Sequence, residues 1–364
     1  MKGQKIVIGM SGGVDSSTAA ALLKEQGYEV IGLTMRLWDG EEIGGEFYDG
    51  TCCSLSAVED ARRVAYKLGI EYHVLDFRKE FEEYVIDYFV NSYRMAKTPN
   101  PCIACNKYLK FDAMLKKAKL FDADLIATGH YAKVEERDGR YILRRANSEA
   151  KDQTYALYSL RQEQLKAIRM PLGELSGKDE VRKIAERLGL PTASKPDSQE
   201  ICFVPDNDYA SFIERRLGLK SVPGNYVDTH GNILGRHKGI INYTIGQRKG
   251  LGIAFGKPMF VTKIDPVTND ITLGEKGSEF SDSLVAEGLN FIPFDELTEP
   301  MRVLAKVRYS AKPALCTVTP IGDDRAQVVF DTPQRAVTPG QAVVFYDEDY
   351  DVVIGGGNII NGGD

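Results

Sequence analysis

Lys5-Ile6-Val7-Ile8-Gly9-Met10-Ser11-Gly12-Gly13-Val14-Asp15-Ser16-Ser17-Thr18-Ala19-Ala20-Ala21-Leu22-Leu23 passes from an apolar run through a glycine pair into an alanine-rich run. The pattern predicts a buried strand, a tight turn and a helix. Gly12 and Gly13 carry no Cβ to keep a ligand from the backbone, and the unpaired N–H groups of a helix's first turn point at anions with the helix dipole behind them. A phosphate cradle is the chemistry such a turn offers, and a nucleotide is the expected ligand. The Gly-Lys-Ser/Thr ending of an NTPase P-loop and the Gly-x-Gly-x-x-Gly dinucleotide pattern are both missing from it.

The 364 residues exceed the roughly 250–300 over which one core keeps growing, so two or three domains are expected. With 43% hydrophobic and 27% charged residues the chain reads as soluble and globular. No apolar stretch approaches the ~20 residues that span a bilayer, and the first strand is entered without a signal-peptide pattern, so the cytoplasm is the expected location and no membrane the expected partner. Cys52, Cys53, Cys102, Cys105, Cys202 and Cys316 are too sparse for a disulfide framework. The net charge of −6 argues by itself against nucleic acid. Local charge argues the other way. Lys97, Lys107, Lys110, Lys116, Lys117 and Lys119 meet only Asp112, residues 236–263 hold Lys and Arg without an acid, and so do residues 301–312. Tyr243, Phe255, Phe260 and Tyr309 lie among these charges, a pattern suited to phosphates and stackable bases.

Strand-like and helix-like stretches alternate over the first 190 residues as a parallel sheet requires. Strands are expected near 28–34, 72–77 and 125–128, and helices at 56–68, 79–95, 107–119 and 178–188. Residues 38–50 have the composition of a loop, and residues 191–207, with three prolines, that of a loop or hinge. Closely spaced glycines between 224 and 256 mark tight turns between short strands. Alternating β-branched and polar residues from 303 onward predict a small antiparallel barrel or sandwich. Ligands of open α/β sheets collect at the carboxyl ends of strands, which places the 11–17 turn and Gly129-His130 at one crevice.

Thr98-Pro99-Asn100-Pro101-Cys102-Ile103-Ala104-Cys105-Asn106-Lys107 sets Cys105 near an expected helix start and beside Lys107, both of which favour the nucleophilic thiolate. Cys102 and Cys105 also have the spacing of a dithiol or of two metal ligands, but a structural zinc needs four ligands and no second Cys-x-x-Cys exists. Cys202, within Gln199-Glu200-Ile201-Cys202-Phe203-Val204, reads by its context alone as a buried, inert cysteine.

The Ser11 to Ser17 turn resembles the PP-loop of the ATP pyrophosphatases, which split ATP between its α- and β-phosphates. Together with it, residues 98–107, Ala127-Thr128-Gly129-His130-Tyr131-Ala132, Lys151-Asp152-Gln153-Thr154-Tyr155, residues 197–203 and Tyr243-Thr244-Ile245-Gly246-Gln247-Arg248-Lys249-Gly250-Leu251 are similar to the tRNA-specific 2-thiouridylase family over most of the chain. The resemblance implies an α/β PP-loop catalytic domain over 1–208 with a parallel sheet, a small, mainly β central tRNA-binding domain over 209–280, and an antiparallel β-barrel over 281–364. It implies ATP contacts at Gly9, Met10, Ser11, Gly12, Gly13, Val14, Asp15, Ser16, Met35 and Gly129. The family's nucleophile falls on Cys105 and its persulfide-bearing cysteine on Cys202. Its tRNA contacts fall on Asn100, Pro101, Cys102, His130, Lys151, Asp152, Gln153, Arg308, Tyr309 and Gln341.

The activity so implied is ATP-dependent 2-thiolation of the tRNA wobble uridine through an adenylated C2 oxygen, with Mg²⁺ organised by Asp15 or Ser16. The implied sulfur donor is a cysteine desulfurase or a relay protein. Many members carry Asp at the position of Cys102, which leaves three cysteines for one site and opens an iron-sulfur cluster on Cys102, Cys105 and Cys202 as the alternative. Gly12→Val and Asp15→Ala are expected to abolish AMP formation without unfolding the chain. A PP-loop synthetase acting on a small metabolite would share residues 11–17 but would need neither a sulfur-carrying cysteine nor three basic segments. A non-catalytic RNA-binding sulfur carrier would not need an intact phosphate loop.

Overall fold

The computed structural model describes residues 3–38, 55–196, 201–204, 206–322 and 324–362. The expected loop at 38–50 lies, apart from Trp38, outside them, as do Cys52 and Cys53. The chain forms two compact units, one of Met1–Val85, Cys102–Asn207 and Asp351–Val353, the other of Ile86–Pro101, Asp208–Tyr350 and Ile354–Asp364.

In the first unit, β1 (Lys5–Gly9), β2 (Glu29–Arg36), β3 (Glu71–Asp76) and β4 (Leu125–Ala127) precede a hairpin of β5 (Ala132–Arg137) and β6 (Arg140–Arg145), and β7 (Ile168–Arg169) follows. The sheet order is β3-β2-β1-β4-β7, and every pairing in it is parallel. Ile6, Val7 and Ile8 of the central strand are fully buried, which is why that strand reads as an unbroken apolar run rather than an alternating one. Helices α1 (Val14–Glu25) and α2 (Leu55–Leu68) and the helix Lys178–Arg187 contribute Ala19, Ala20, Leu23, Ala61, Val64, Val181 and Ala185 to the same core. Small alanines let α1 lie close to its neighbours, so the carboxyl end of β1 and the turn behind it are held rigidly.

Two helices depart from expectation. The one expected over 107–119 starts at Pro101, because a proline's fixed φ and missing N–H suit the first helical turn that they would disrupt further in. Cys105 therefore lies one turn inside the helix, at the start of a π-helical stretch, Cys105–Ala113. The one expected over 79–95 is helical from Arg78 to Arg94 with a π segment at Glu82–Ile86, and the boundary between the two units falls within it.

In the second unit the helix Tyr209–Leu217, capped by Asp208 accepting from Ser211 N at 3.0 Å, leads into β8 (Gly224–Val227), β9 (Ile233–His237), β10 (Met259–Asp265) and β11 (Asp270–Glu275), ordered β10-β11-β8-β9. Tyr226, Tyr243, Val261, Ile271 and Leu273 form their core. The strands β12 (Phe280–Phe291), β13 (Met301–Lys306), β14 (Ala314–Pro320), β15 (Arg325–Arg335), β16 (Ala342–Tyr346) and β17 (Val353–Gly362) close as β12-β15-β14-β13-β16-β17 into an antiparallel barrel. Closure removes the sheet edges. Val303, Ala305, Cys316, Val318, Ala326 and Val328 alternate inward, as the sequence pattern implies. Cys316 is fully buried, and burial pushes its thiol up to about 12. It is expected to stay unalkylated by iodoacetamide at pH 8 in the native protein and to react only after denaturation, which peptide mapping reads out.

Candidate active site

Three glycines shape the turn after β1. Gly12 has φ +68°, and a Cβ there would stand 2.2 Å from the carbonyl oxygen of Ala57, so only glycine fits. Gly13 caps α1 in extended conformation without a side-chain hydrogen bond, which leaves the first-turn N–H groups for a ligand. A Cβ on Gly129 would stand 2.8 Å from Ser16 N, so the chain after β4 passes directly over the start of α1. From below, Met10 N donates to Leu33 O at 2.8 Å, and Thr34 Oγ1, itself accepting from Tyr72 Oη at 2.7 Å, donates to Met10 O at 2.7 Å. Ser17 Oγ and Ser16 Oγ both donate to Gly13 O, at 2.8 and 3.2 Å. Met35, near the end of β2, is partly exposed.

Asp15, the sole acid of the turn, is held from both sides. Tyr131 Oη donates to Oδ1 at 2.7 Å, and Lys178 Nζ lies 2.8 Å from Oδ2 with its side chain 13% exposed. The sequence reading missed both partners: Lys178 is 163 residues away, and its only signal is its place at the start of a helix. Tyr131 is fixed in turn by Gln153, whose Oε1 accepts from Tyr131 N at 2.9 Å and whose N donates to Tyr131 O at 3.0 Å. Asp152 accepts from Thr154 Oγ1 at 2.6 Å and lies 3.5 Å from Arg145; burial pushes its carboxyl up, against the Thr154 hydrogen bond. Gln153 thus supports Asp15 through Tyr131, whereas the Asp152 carboxylate is taken up by Thr154 and Arg145. His130 Nδ1 lies 2.7 Å from Thr128 Oγ1, and its ring packs against Phe111 at 5.6 Å. Burial, with Lys110 adding to it, pushes His130 well below its usual value, so the ring is neutral at pH 7.

Cys102 is exposed, Cys105 and Cys202 are half-buried, and all three belong to the same unit as the turn. The neighbouring Asn106 is anchored by donating from Nδ2 to Ala156 O at 3.0 Å. The segment leading to Cys202 is pinned where the structure describes it. Arg182 donates to Ala193 O at 2.6 Å and Lys195 O at 2.9 Å, and Lys195 pairs with Asp60 at 2.7 Å. Phe203 and Val204 are buried, Phe203 lying edge-on to Phe81 at 5.7 Å, so Cys202 is followed directly by an anchored pair. Among the described residues no three Cys, His, Asp or Glu side chains are grouped to hold a metal. The alternative of a cluster on Cys102, Cys105 and Cys202 therefore finds no assembled donor set among the described residues. Asp15 and Ser16, the residues expected to organise Mg²⁺, both carry acceptor oxygens at the turn: each Asp15 oxygen accepts one hydrogen bond, from Tyr131 or Lys178, and keeps a further lone pair.

Three family models match the chain: a tRNA methyl transferase HUP domain over residues 4–206, a tRNA methyl transferase PRC-barrel domain over 210–275 and an aminomethyltransferase beta-barrel domain over 281–359. The tRNA-specific 2-thiouridylase MnmA of Acetivibrio thermocellus is 58% identical over 361 residues, covering 99% of this chain and 100% of its own. That of Clostridioides difficile is 57% identical over 358 residues, covering 98% of each. This chain belongs to the tRNA-specific 2-thiouridylase family. Among solved structures, an NMN synthetase from Francisella tularensis aligns at 18% identity and TM-score 0.34 over 60% of this chain and 73% of its own.

Lys151, in the first unit, is partly exposed, and the second unit holds the other residues assigned by resemblance to this family. Tyr309 is 49% exposed, whereas Tyr243 and Phe260 are core residues at 4% and Phe255 packs against Tyr226, so the expectation that these aromatics stack on bases fails for the central domain. Its alternating glycines and aromatics record packing around Tyr226. Several cations that stand in acid-poor sequence also find partners in space. Arg302 pairs with Asp331 across the barrel strands at 2.7 Å, and Lys257 pairs with Glu275. Lys238, Arg248 and Lys249 are exposed, and among the described residues none of the three forms an ion pair. Asn100 is partly exposed, and Gln341 and Arg308 make contacts within this unit, considered below. No helix among the described residues is long and apolar enough to cross a membrane.

Proposed function

We propose that the chain is an ATP-dependent tRNA-uridine 2-sulfurtransferase that turns the wobble uridine of tRNA into 2-thiouridine, releasing AMP and pyrophosphate. The observation that carries this reading is the uncapped α1 turn, narrowed by Gly12 and Gly129, in one compact unit with Cys105 and Cys202. Residues 1–208 form the catalytic domain of this reading, 209–280 the central tRNA-binding domain and 281–364 the barrel. ATP is needed because a uridine C2 carbonyl cannot expel oxide. The C2 oxygen attacks the α-phosphorus, the bond from that phosphorus to the bridging oxygen breaks, and pyrophosphate departs. The α1 amides and Ser11 stabilise the phosphate charge by fixed dipoles. Lys178, held against Asp15 at 2.8 Å, is the one side-chain cation bonded to the turn among the described residues and serves the same charge. Magnesium, when bound beside Asp15 or Ser16, would supply charge neutralisation on the nucleotide phosphates.

Sulfur reaches Cys202 as a persulfide from a cysteine desulfurase or a relay protein. Its terminal sulfur attacks C2 while AMP leaves with the former carbonyl oxygen, and the Cys105 thiolate then attacks Cys202 Sγ, releasing the 2-thiouridine sulfur and forming a disulfide. In the alternative order Cys105 first expels hydrosulfide from the persulfide, which attacks C2. Both orders end in a Cys105–Cys202 disulfide that an external dithiol reduces. The target base must leave its stack to reach such a site; in this reading Asn100 and Pro101 lie near it, and His130, Lys151, Asp152 and Gln153 are tRNA contacts.

The test is AMP release from ATP with tRNA or with small carboxylate or amide metabolites. Stimulation by tRNA alone is expected, and stimulation by a metabolite alone would contradict the reading. Lys178→Met should lower AMP formation about 100-fold with tRNA affinity unchanged. Affinity for tRNA should fall with salt at a log–log slope of about −4 to −5, corresponding to about six neutralised phosphates. Lys238→Glu with Arg248→Glu should flatten that slope by about 1–2, measured by filter binding across a salt series.

A further inference from the structure

The loop at 98–101 cannot hold itself, because Pro99 and Pro101 have no N–H and leave neighbouring carbonyls without a ladder partner. The turn between β15 and β16 supplies the missing partners. Thr98 N donates to Pro339 O at 2.8 Å, and Gln341 Nε2 donates to Thr98 O at 2.8 Å and to Pro99 O at 3.4 Å. Thr98 Oγ1 also meets Thr244 Oγ1 of the central domain at 3.4 Å. Gly340 has φ +89°, and a Cβ there would stand 3.0 Å from both Lys97 Cβ and Thr98 N, so a side chain would strain the backbone and press on the loop.

The turn is braced from behind. Gly340 N donates to Ile359 O at 2.9 Å, Ile359 N donates to Gln341 O at 2.8 Å, and Arg308 Nη2 donates to Thr338 Oγ1 and, at 3.0 Å, to Ile245 O. All these residues lie in one unit. The amide nitrogen of Gln341 faces the two loop carbonyls, which leaves its Oε1 as the atom to accept from RNA.

We propose that the 338–341 turn is a clamp that presets the 98–101 loop, and that Gln341 is a positioning residue acting through that loop as well as a tRNA contact. The effect on turnover rests on the function proposed above; the clamp itself does not. The experiment measures hydrogen exchange of the Thr98 amide in tRNA-free protein and, separately, kcat and KM for tRNA thiolation, for wild type, Gln341→Met and Gly340→Ala. Exchange at Thr98 should quicken about tenfold or more in both variants while the barrel amide of Val343 stays protected, and kcat should fall further than KM rises. Unchanged Thr98 exchange in both variants, with only KM raised, would reduce Gln341 to a tRNA contact and overturn the clamp. Faster exchange with no thiolation even by the wild type would uphold the clamp and remove the function on which its kinetic effect depends.

Discussion

Cys202→Ser protein should form AMP in the presence of tRNA, take up no persulfide sulfur from a desulfurase and yield no 2-thiouridine. Cys105→Ser should carry the persulfide on Cys202 and still fail to thiolate, because nothing resolves the sulfur–sulfur bond. Both losses should be complete to detection, since each removes an atom that bonds to sulfur rather than one that tunes a neighbour. Cys102→Ser separates this account from a metal one. Cys102 is exposed, and no described trio of donors is grouped for a metal, so near-normal activity of metal-free protein is expected. Loss of activity together with loss of bound iron would restore the cluster. Sulfur labelling followed by peptide mapping, with nucleoside analysis of the tRNA, reads all three variants.

Asp15→Ala is expected to lower AMP formation by about 10²–10³-fold while the chain stays folded, because Tyr131 and Lys178 lose the carboxylate that aims them at the phosphate turn. Release of pyrophosphate at the wild-type rate would sink the assignment. Gly12→Val is a poorer probe than the sequence suggests. Its Cβ would press on backbone at 2.2 Å in a left-handed conformation, so the variant should lose stability as well as activity, and thermal melting would show it.

The parallel sheet and the barrel were legible because burial leaves a period in the sequence: unbroken apolar runs in β1, alternation in β13 to β15. The phosphate turn was legible because glycines and helix amides act locally. What the sequence hid depends on long-range pairing. Lys178 reaches Asp15 from 163 positions away, and Gln341 reaches Thr98 from 243. Charge and aromatic counts misled for the same reason: Arg302 meets Asp331 only once strands pair, and Tyr243 looks available for stacking until Tyr226 packs on it. The helix expected from 107 starts at Pro101 instead, where proline's position makes it an opener, and residue types alone do not give that position.

The central claim is that this chain exchanges the C2 oxygen of a tRNA uridine for sulfur at the expense of ATP. Mass spectrometry of nucleosides from unmodified tRNA, incubated with the protein, ATP, Mg²⁺ and a persulfide source, tests it directly. The account predicts that the wobble uridine gains the mass of sulfur in place of oxygen only when ATP is present, with AMP formed alongside. Sulfur incorporation without ATP, or AMP formation with no thiolated uridine under these conditions, would contradict it.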